Sequence, residues 1–407
     1  TVTITDAPSV AQLKTINAAT TGAITLNVSN GALSGTSSDL ALALAGTINH
    51  SGTVTITNSN YSVAELAVIN AGTSGAITLN TTDTALSGSG SDLVTALAGT
   101  INYTGNITAS GVTVTEQSTL STASDGGTLS YALSDNATNI SNASSSVVNG
   151  ATSIAVTDVA GAGNIIDLDN VTSVGTLSSV NITGDGNVDQ IELSTVLAES
   201  GKVTMDLVAD ANNAANLIDK IVFNVSNDSS WVTFDGSGNA TGNFAFNKIN
   251  NYGSTDQLGI FYGGVKASHG AFRDSYNSAM DYRLNDGIIY EDTVNSDDGL
   301  SLTNLYVNTE ANIRANIQSI IQTGGTAGNV TGSSGLDFTY ILYAQSSDNA
   351  AQTSAYIFAG NYAEANQPAG ATFQNGSLRI VGLAEVVNVA NGIMNDNFLD
   401  SIPSDLS

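Results

Sequence analysis

The chain has 407 residues, enough for two or three domains, and only 11% of them are charged, so its polar surface must be built from Thr, Ser, Asn and Gly. With 36 acids against 9 bases it carries a net charge of −27; such a polyanion repels nucleic acid and anionic membranes and suits cations, of which Ca2+ prefers carboxylate and carbonyl oxygens. Cysteine is absent, which excludes a disulfide framework, a thiolate metal site and a Cys nucleophile, and no stretch approaches the roughly 18 apolar residues of a membrane-inserting helix.

The first signal in chain order is an internal repeat. Residues 1–52, TVTITDAPSVAQLKTINAATTGAITLNVSNGALSGTSSDLALALAGTINHSG, return as residues 53–105, TVTITNSNYSVAELAVINAGTSGAITLNTTDTALSGSGSDLVTALAGTINYTG, with one inserted residue and roughly two-thirds of the positions identical. Within each copy TVTIT alternates as a strand does. SVAQLKTIN and SVAELAVIN space Val, Leu and Ile for a short helix, with Ser9 or Ser62 at the N-cap. AITL reads as a second strand. SSDLALALAG and GSDLVTALAG read as a second short helix closed by Gly46 or Gly99. The predicted unit is strand–helix–strand–helix, two coils per copy, an α/β solenoid whose strands stack into a parallel sheet. One coil cannot bury its own apolar face, so further copies are expected upstream. No signal peptide is visible at the N-terminus, and Thr1 falls inside a strand-like phrase. The expectation is a processed product, a piece of a longer chain, or an uncleaved C-terminal export signal.

From residue 106 helical phrases thin out. Short Val, Ile, Leu and Thr runs alternate with Gly, Asn, Asp and Ser, as in SIAVTDVAGAGNIIDLDNV and KVTMDLVADANNAANLIDKIVF, which predicts a β-solenoid or β-sandwich over 106–255. The Ser- and Asn-rich stretch 121–150 is the expected linker. From residue 256 the aromatics rise. TEANIRANIQSIIQTGG reads as a helix, TYILYAQ and SAYIFAG as paired strands, SLRIVGLAEV as a strand closing their sheet, and the tail after Asp400 as loose. The predicted architecture is mainly β with short helices: α/β solenoid repeats over 1–105, the β-rich middle, and a C-terminal α+β domain over 256–407.

The most specific local motif begins at Gly184 and reads Gly-Asp-Gly-Asn-Val-Asp-Gln-Ile-Glu. It is a partial copy of the calcium nonapeptide G-G-x-G-x-D-x-U-x, U being aliphatic. Gly184, Asp189 and Ile191 match. Gly186 and Asn187 sit near the other glycine positions, where a left-handed turn is needed. Asp185 and Asp189 are therefore candidate metal ligands. Gly161-Ala-Gly-Asn-Ile-Ile-Asp-Leu-Asp is a weaker second copy, which adds Asp167 and Asp169. The alternative for both is a plain Gly/Asp turn between strands. Asp206, Asp210, Asp219, the Asp235-Gly turn and Asp297-Asp298-Gly read as solvated acidic turns, and the absence of a closing Glu excludes an EF-hand. No catalytic constellation is visible. Of the two histidines, His50 aligns with Tyr103 of the second copy, a position that needs bulk rather than a base, and His269 reads as a loop histidine. Nothing around either suggests a nucleophile elbow. Neither a Walker nor a dinucleotide glycine pattern is present in its strand–helix context.

These phrases resemble known proteins. The TVTIT…SVAQLKTIN…TGAITL…SDLALALAG repeats resemble those of very large cyanobacterial surface proteins. DKIVFNVSNDSSWVTF…FNKINNYGSTDQLGIFYGG resembles a C-terminal phrase of type I-secreted, RTX-like proteins. LDFTYILYAQSSDNAAQTSAYIFAGNY…RIVGL resembles the bluetail domain that ends such chains. The resemblance implies one-step export under a C-terminal signal, a place at the cell surface, and a role in a surface layer, in adhesion or in a motility-related coat. The chain departs from it in holding few calcium nonapeptides.

The expected function is thus non-enzymatic: a secreted, extracellular cell-surface protein that self-assembles, as a homo-oligomer, into a surface layer or filament stabilised by Ca2+. Cell-surface polysaccharide is a further expected partner, and nucleic acid and membrane insertion are not. The alternatives are a monomeric or trimeric adhesin or fibre that binds a glycan or surface ligand, and, last, a polysaccharide-degrading β-helix enzyme using Asp185 and Asp189.

Overall fold

The computed structural model describes residues 1–46, 49–98, 101, 103–157, 164–184, 189–207, 219–226, 231–233, 242, 244–253 and 256–262, and beyond them the strand segments 265–266, 275–277, 282–285, 288–291, 336–345, 353–362 and 378–387. The fold is mainly β with short helices, and among the described residues no helix is long and apolar enough to cross a membrane. The chain divides into two compact units, one of residues 1–135 with 146–155, the other of residues 136–145 with 156–407.

In the first unit strands and helices alternate: β1 Val2–Ile4, α1 Val10–Ala19, β2 Ile24–Leu26, β3 Leu33–Gly35, α2 Ser37–Leu44, β4 Val54–Ile56, α3 Val63–Gly72, β5 Ile77–Leu79, β6 Leu86–Ser89, α4 Gly90–Leu97, β7 Ile107–Val112, α5 Val114–Ala123 and β8 Leu129–Asn136. The strands pair in parallel in three runs, β1–β2, β3–β4–β5 and β6–β7–β8. Val2 meets Ile24, Leu33 meets Val54, Val54 meets Ile77, Leu86 meets Ile107 and Ile107 meets Leu129. Helices of 8 to 10 residues are too short to hold in water by themselves. Two things hold them here. Ser9, Ser62 and Thr113 close capping boxes with Gln12, Glu65 and Glu116. Leu13, Leu40, Leu66, Ile69, Leu93 and Leu120 are fully buried against neighbouring layers, each worth roughly 1.5–3 kcal/mol.

Polar side chains stitch the layers at recurring places along the first unit. Asn17 Nδ2 donates to Leu42 O and Asn70 Nδ2 to Thr95 O, both at 2.8 Å. Asn58 Oδ1 accepts the N–H of Ser37 at 2.7 Å, and Asp135 Oδ2 accepts that of Val114 at 2.9 Å, so each satisfies the first helical N–H of the preceding layer. The glycines before the strands are compelled by packing: a Cβ on Gly75 would run into Gly52 O, and one on Gly127 into Gly105 O.

Sequence identity between the copies ends at residue 105, but strand pairing continues through β7 and β8. The expected linker is folded: residues 121–150 hold the end of α5, β8, α6 Ala137–Ser141 and α7 Ser145–Gly150. Tyr131 is buried and donates to Val147 O at 2.6 Å, and Leu133, Ile140 and Val148 are each buried. Ser and Asn serve here as helix caps and as the exposed faces of short elements. The expected loss of helix after 106 is likewise corrected by α5, whose buried face is only Gln117 and Leu120; so thin an apolar stripe is invisible to periodicity.

β9, Ser153–Thr157, leads to the second unit, with β10 Asn164–Leu168, β11 Ser179–Thr183, β12 Asp189–Leu193, α8 Thr195–Ala198, β13 Val203–Asp206, β14 Lys220–Val225, β15 Asn247–Asn250 and β16 Gln257–Tyr262. Successive strands go to alternate sheets. β10, β12, β14 and β16 pair in parallel in one, and β11, β13 and β15 in the other. Register builds apolar ladders: Ile166–Ile191–Ile221–Leu258 and Leu168–Leu193–Phe223–Ile260 in the first sheet, Ile182–Met205–Ile249 in the second, all buried. The remaining strands are β17 Val265–Lys266, β18 Ser275–Asn277, β19 Tyr282–Asn285, β20 Ile288–Glu291, β21 Leu336–Gln345, β22 Thr353–Tyr362 and β23 Leu378–Val386. β17 extends the first sheet antiparallel to β16. β21 and β22 pair with each other as expected, in antiparallel sense, and β23 pairs antiparallel with β22. β23 then pairs in parallel with β15, so strand pairing crosses the expected boundary at 255. Fully buried Asn247 fixes that junction: its Oδ1 accepts from Val203 N–H at 3.0 Å, and its Nδ2 donates to Ala198 O at 2.7 Å and Leu383 O at 2.9 Å. Phe246 packs edge-on to Tyr356 and Phe358 with ring centres 5.2 Å apart. The helix phrase at 309–325 and the tail after Asp400 lie outside the described residues.

Candidate metal centre

Side chains alternate along a strand, so the residues between the ladder positions of β10 and β12 share the opposite face. Register sets Asp167 of β10 directly beside Glu192 of β12. Asp169 follows two residues after Asp167 and comes to the same place. Single carboxylate oxygens of Asp167, Asp169 and Glu192 all lie within 4.8 Å of one another, and no other such acidic group exists among the described residues. Two oxygens bound to one Ca2+ at about 2.4 Å can be at most about 4.8 Å apart, so the spacing fits a hard divalent ion.

Neighbouring polar groups hold this arrangement. The Asp169 N–H donates to Asp167 Oδ1 at 2.9 Å, and the Asp167 N–H to Ser141 Oγ at 3.0 Å. Asn170 Nδ2 donates to Ile140 O at 2.7 Å and Ala143 O at 3.0 Å, tying the end of β10 to the segment around α6. Asn224 of β14 donates through Nδ2 to Glu192 Oε1 at 2.6 Å and, more weakly, to Asp169 Oδ1 at 3.4 Å. Glu192 is only 3% exposed, and its Oε2 has no hydrogen-bond partner. A buried carboxylate oxygen left bare is costly unless a proton or a cation meets it.

The electrostatics agree. Burial raises the Glu192 carboxyl to about 7; the Asn224 hydrogen bond opposes the rise, and the charges of Asp169 and Asp167 add to it. Asp169 is raised for the same reasons, burial first and then the charge of Asp167, with the Asn224 contact opposing. The Lys14–Asp39 pair is the one ion pair among the described residues, so no lysine or arginine neutralises the triad there.

Comparison with family models, curated proteins and solved structures finds no match for this chain.

Of the four sequence-derived ligand candidates, Asp167 and Asp169 meet. Asp189 opens β12 in register with Asn164, and its side chain lies outside the described residues, as does the whole of Asp185. The nonapeptide reading missed Glu192. Its signal was the matched phrases Ile166-Asp-Leu and Ile191-Glu-Leu, in which an acid follows an aliphatic residue at the same strand position. Asp206 accepts from Asn251 Nδ2 at 2.5 Å, and Asp219 is buried with its N–H on Asp256 Oδ1 at 3.2 Å; neither joins the triad. Asp210, Asp235, Asp297 and His269 lie outside the described residues. Buried His50 bonds Gly31 O at 2.7 Å and Thr73 Oγ1 at 2.9 Å. Its repeat counterpart Tyr103 donates to Thr84 O, the counterpart of Gly31 O, so both act as struts between layers.

Proposed function

We propose that this is a secreted cell-surface structural protein that self-assembles into a surface layer or filament, with Ca2+ bound at Asp167, Asp169 and Glu192 as a brace. The observation that carries the reading is the recurrence of one layer-to-layer stitch, parallel strand on strand and helix on helix, through the first unit. On this reading the first unit is an α/β solenoid and the alternating parallel strands of the second a β-solenoid. Solenoids bury one layer against the next and grow by addition, which suits extended coats. The all-oxygen ligand set suits a hard ion such as Ca2+, Mg2+ or Mn2+ rather than Zn2+ or Cu2+, and Ca2+ is the one proposed. Low charge density and abundant Thr, Ser and Asn suit close lateral packing through hydrogen bonds. The resemblance to cyanobacterial-type secreted proteins supports the cell-surface location and the non-enzymatic role. Electron microscopy of the purified chain with Ca2+ and with a chelator tests the reading: ordered arrays or filaments are expected in Ca2+, and monodisperse monomers in both conditions overturn it.

A further inference from the structure

The outer face of the first layer is a groove of about 400 Å³ lined by Ile4, Asp6, Pro8, Ala11, Gln12, Thr15 and Ile16. The second copy shows what such a face receives. Ile69, the counterpart of Ile16, is fully buried under the preceding layer, whereas Ile16 is half-buried; Val54 is buried and its counterpart Val2 half-buried. Asn58, the counterpart of Asp6, accepts the first helical N–H of α2 at 2.7 Å, and Glu65, the counterpart of Gln12, accepts from Ser37 Oγ at 2.8 Å. Asp135 does for α5 what Asn58 does for α2, with an aspartate as in Asp6. Thr57, the counterpart of Thr5, donates its N–H to Gly35 O at 2.9 Å. One substitution bears on how closely the helices approach. Ala19 stands where Gly72 lets Leu44 O come within 2.6 Å of a would-be Cβ; α5 carries Ala123 at the corresponding place, so an alanine is compatible with the stack.

We propose that this face accepts a further strand–helix coil of the same repeat, stacked in parallel on β1 and α1. The N-terminus of its Ser- or Thr-capped helix sits over Asp6 and Gln12, and its apolar face covers Ile4 and Ile16. An aspartate suits the site because the backbone N–H groups and the dipole at a helix start favour an anion. The inference rests on the repeat reading of the first unit and adds the occupant of its outer face.

The test prepends a second copy of residues 24–52 to the full chain, which reproduces the natural junction between Gly52 and Thr53. Hydrogen exchange at Thr5 should slow by about tenfold or more in the extended chain. In that extended chain Asp6→Ala should reduce the protection and Ile16→Asp should abolish it, while Asp6→Ala in the original chain leaves the unfolding midpoint unchanged. Unprotected Thr5 in the extended chain, or equal protection in both variants, overturns the proposal. So does protection of the original chain that rises with its concentration, which would assign the face to a second molecule. Thr5 protected without arrays in Ca2+ would sink the surface-assembly reading alone, and arrays with Thr5 unprotected would sink this inference alone.

Discussion

Single residues decide two things in this protein, how closely layers approach and where charge collects. Gly75 has no room for a side chain because the Gly52 carbonyl occupies the space. Gly75→Ala should therefore lower stability by about 1–3 kcal/mol or more by forcing two layers apart, read as a drop in the denaturant midpoint. Glu192 makes an opposite demand, since its pocket favours the neutral form. Its folded-state carboxyl titrates at about 7 against an ordinary 4.5, so in metal-free protein the folded state binds the extra proton between those values. The stabilisation is present below about pH 4.5 and is lost as pH rises through about 7. The unfolding midpoint of chelator-treated protein should fall across that window, and Glu192→Gln should flatten the slope. A slope unchanged by Glu192→Gln would show that the triad does not set it. A bound divalent ion reverses the preference, because it needs the carboxylate ionised.

At the scale of elements, the short helices depend on their ends. Ser62 and Glu65 close a capping box, and Glu65 also bonds Ser37 of the preceding layer. Ser62→Ala should cost about 1 kcal/mol, and Asn58→Ala, which strips an acceptor from Ser37 N–H, should cost about 1–3 kcal/mol. Chemical denaturation checks both, and the two should add only partly because both act on the α2–α3 contact. Tyr103 is the strut of the second copy. Burial pushes its phenol up to about 12, so it stays a donor to Thr84 O and Asn106 O at all ordinary pH. Tyr103→Phe should destabilise by about 1–2 kcal/mol without pH dependence, and a pH-dependent loss would contradict the strut role.

For the whole molecule, the net charge of −27 is a standing repulsion that cations relieve. If Ca2+ binds the triad, the unfolding midpoint of the second unit should rise with Ca2+ concentration, by about 2.7 kcal/mol of stability at a hundredfold excess over the dissociation constant. Calorimetry should show this rise abolished in Asp167→Asn with Glu192→Gln. The same double variant should form weaker or fewer arrays by electron microscopy if the brace matters for assembly. A midpoint rise that survives the substitutions would place the ion elsewhere on the acidic surface.

Much of the local structure was legible in the residues. The repeat, the Ser9 and Ser62 caps, the alternation of Ile166 and Leu168, and the pairing of the 336–345 and 353–362 phrases all follow from short-range periodicity, because a strand or a capped turn is specified by neighbours a few residues away. α5 escaped because so few of its residues are buried, and the 121–150 stretch misled because Ser and Asn cap folded elements as readily as they fill linkers. Half of the metal centre was visible as Asp167 and Asp169. Glu192, 23 residues beyond Asp169, reads in sequence as one more solvent-facing acid on a strand. Only the register of β10 against β12 sets it beside Asp167, and only burial beneath Asn224 strips its second oxygen of partners. Sequence by itself determined the strands and helices whose pattern is strong, such as α1, α3, β21 and β22, since these depend on local pattern. The tertiary structure alone decided which strands not joined by a short turn lie side by side, such as β10 with β12 and β15 with β23, since such pairing depends on chain crossings that no local pattern encodes, and with that it decided where three carboxylates meet.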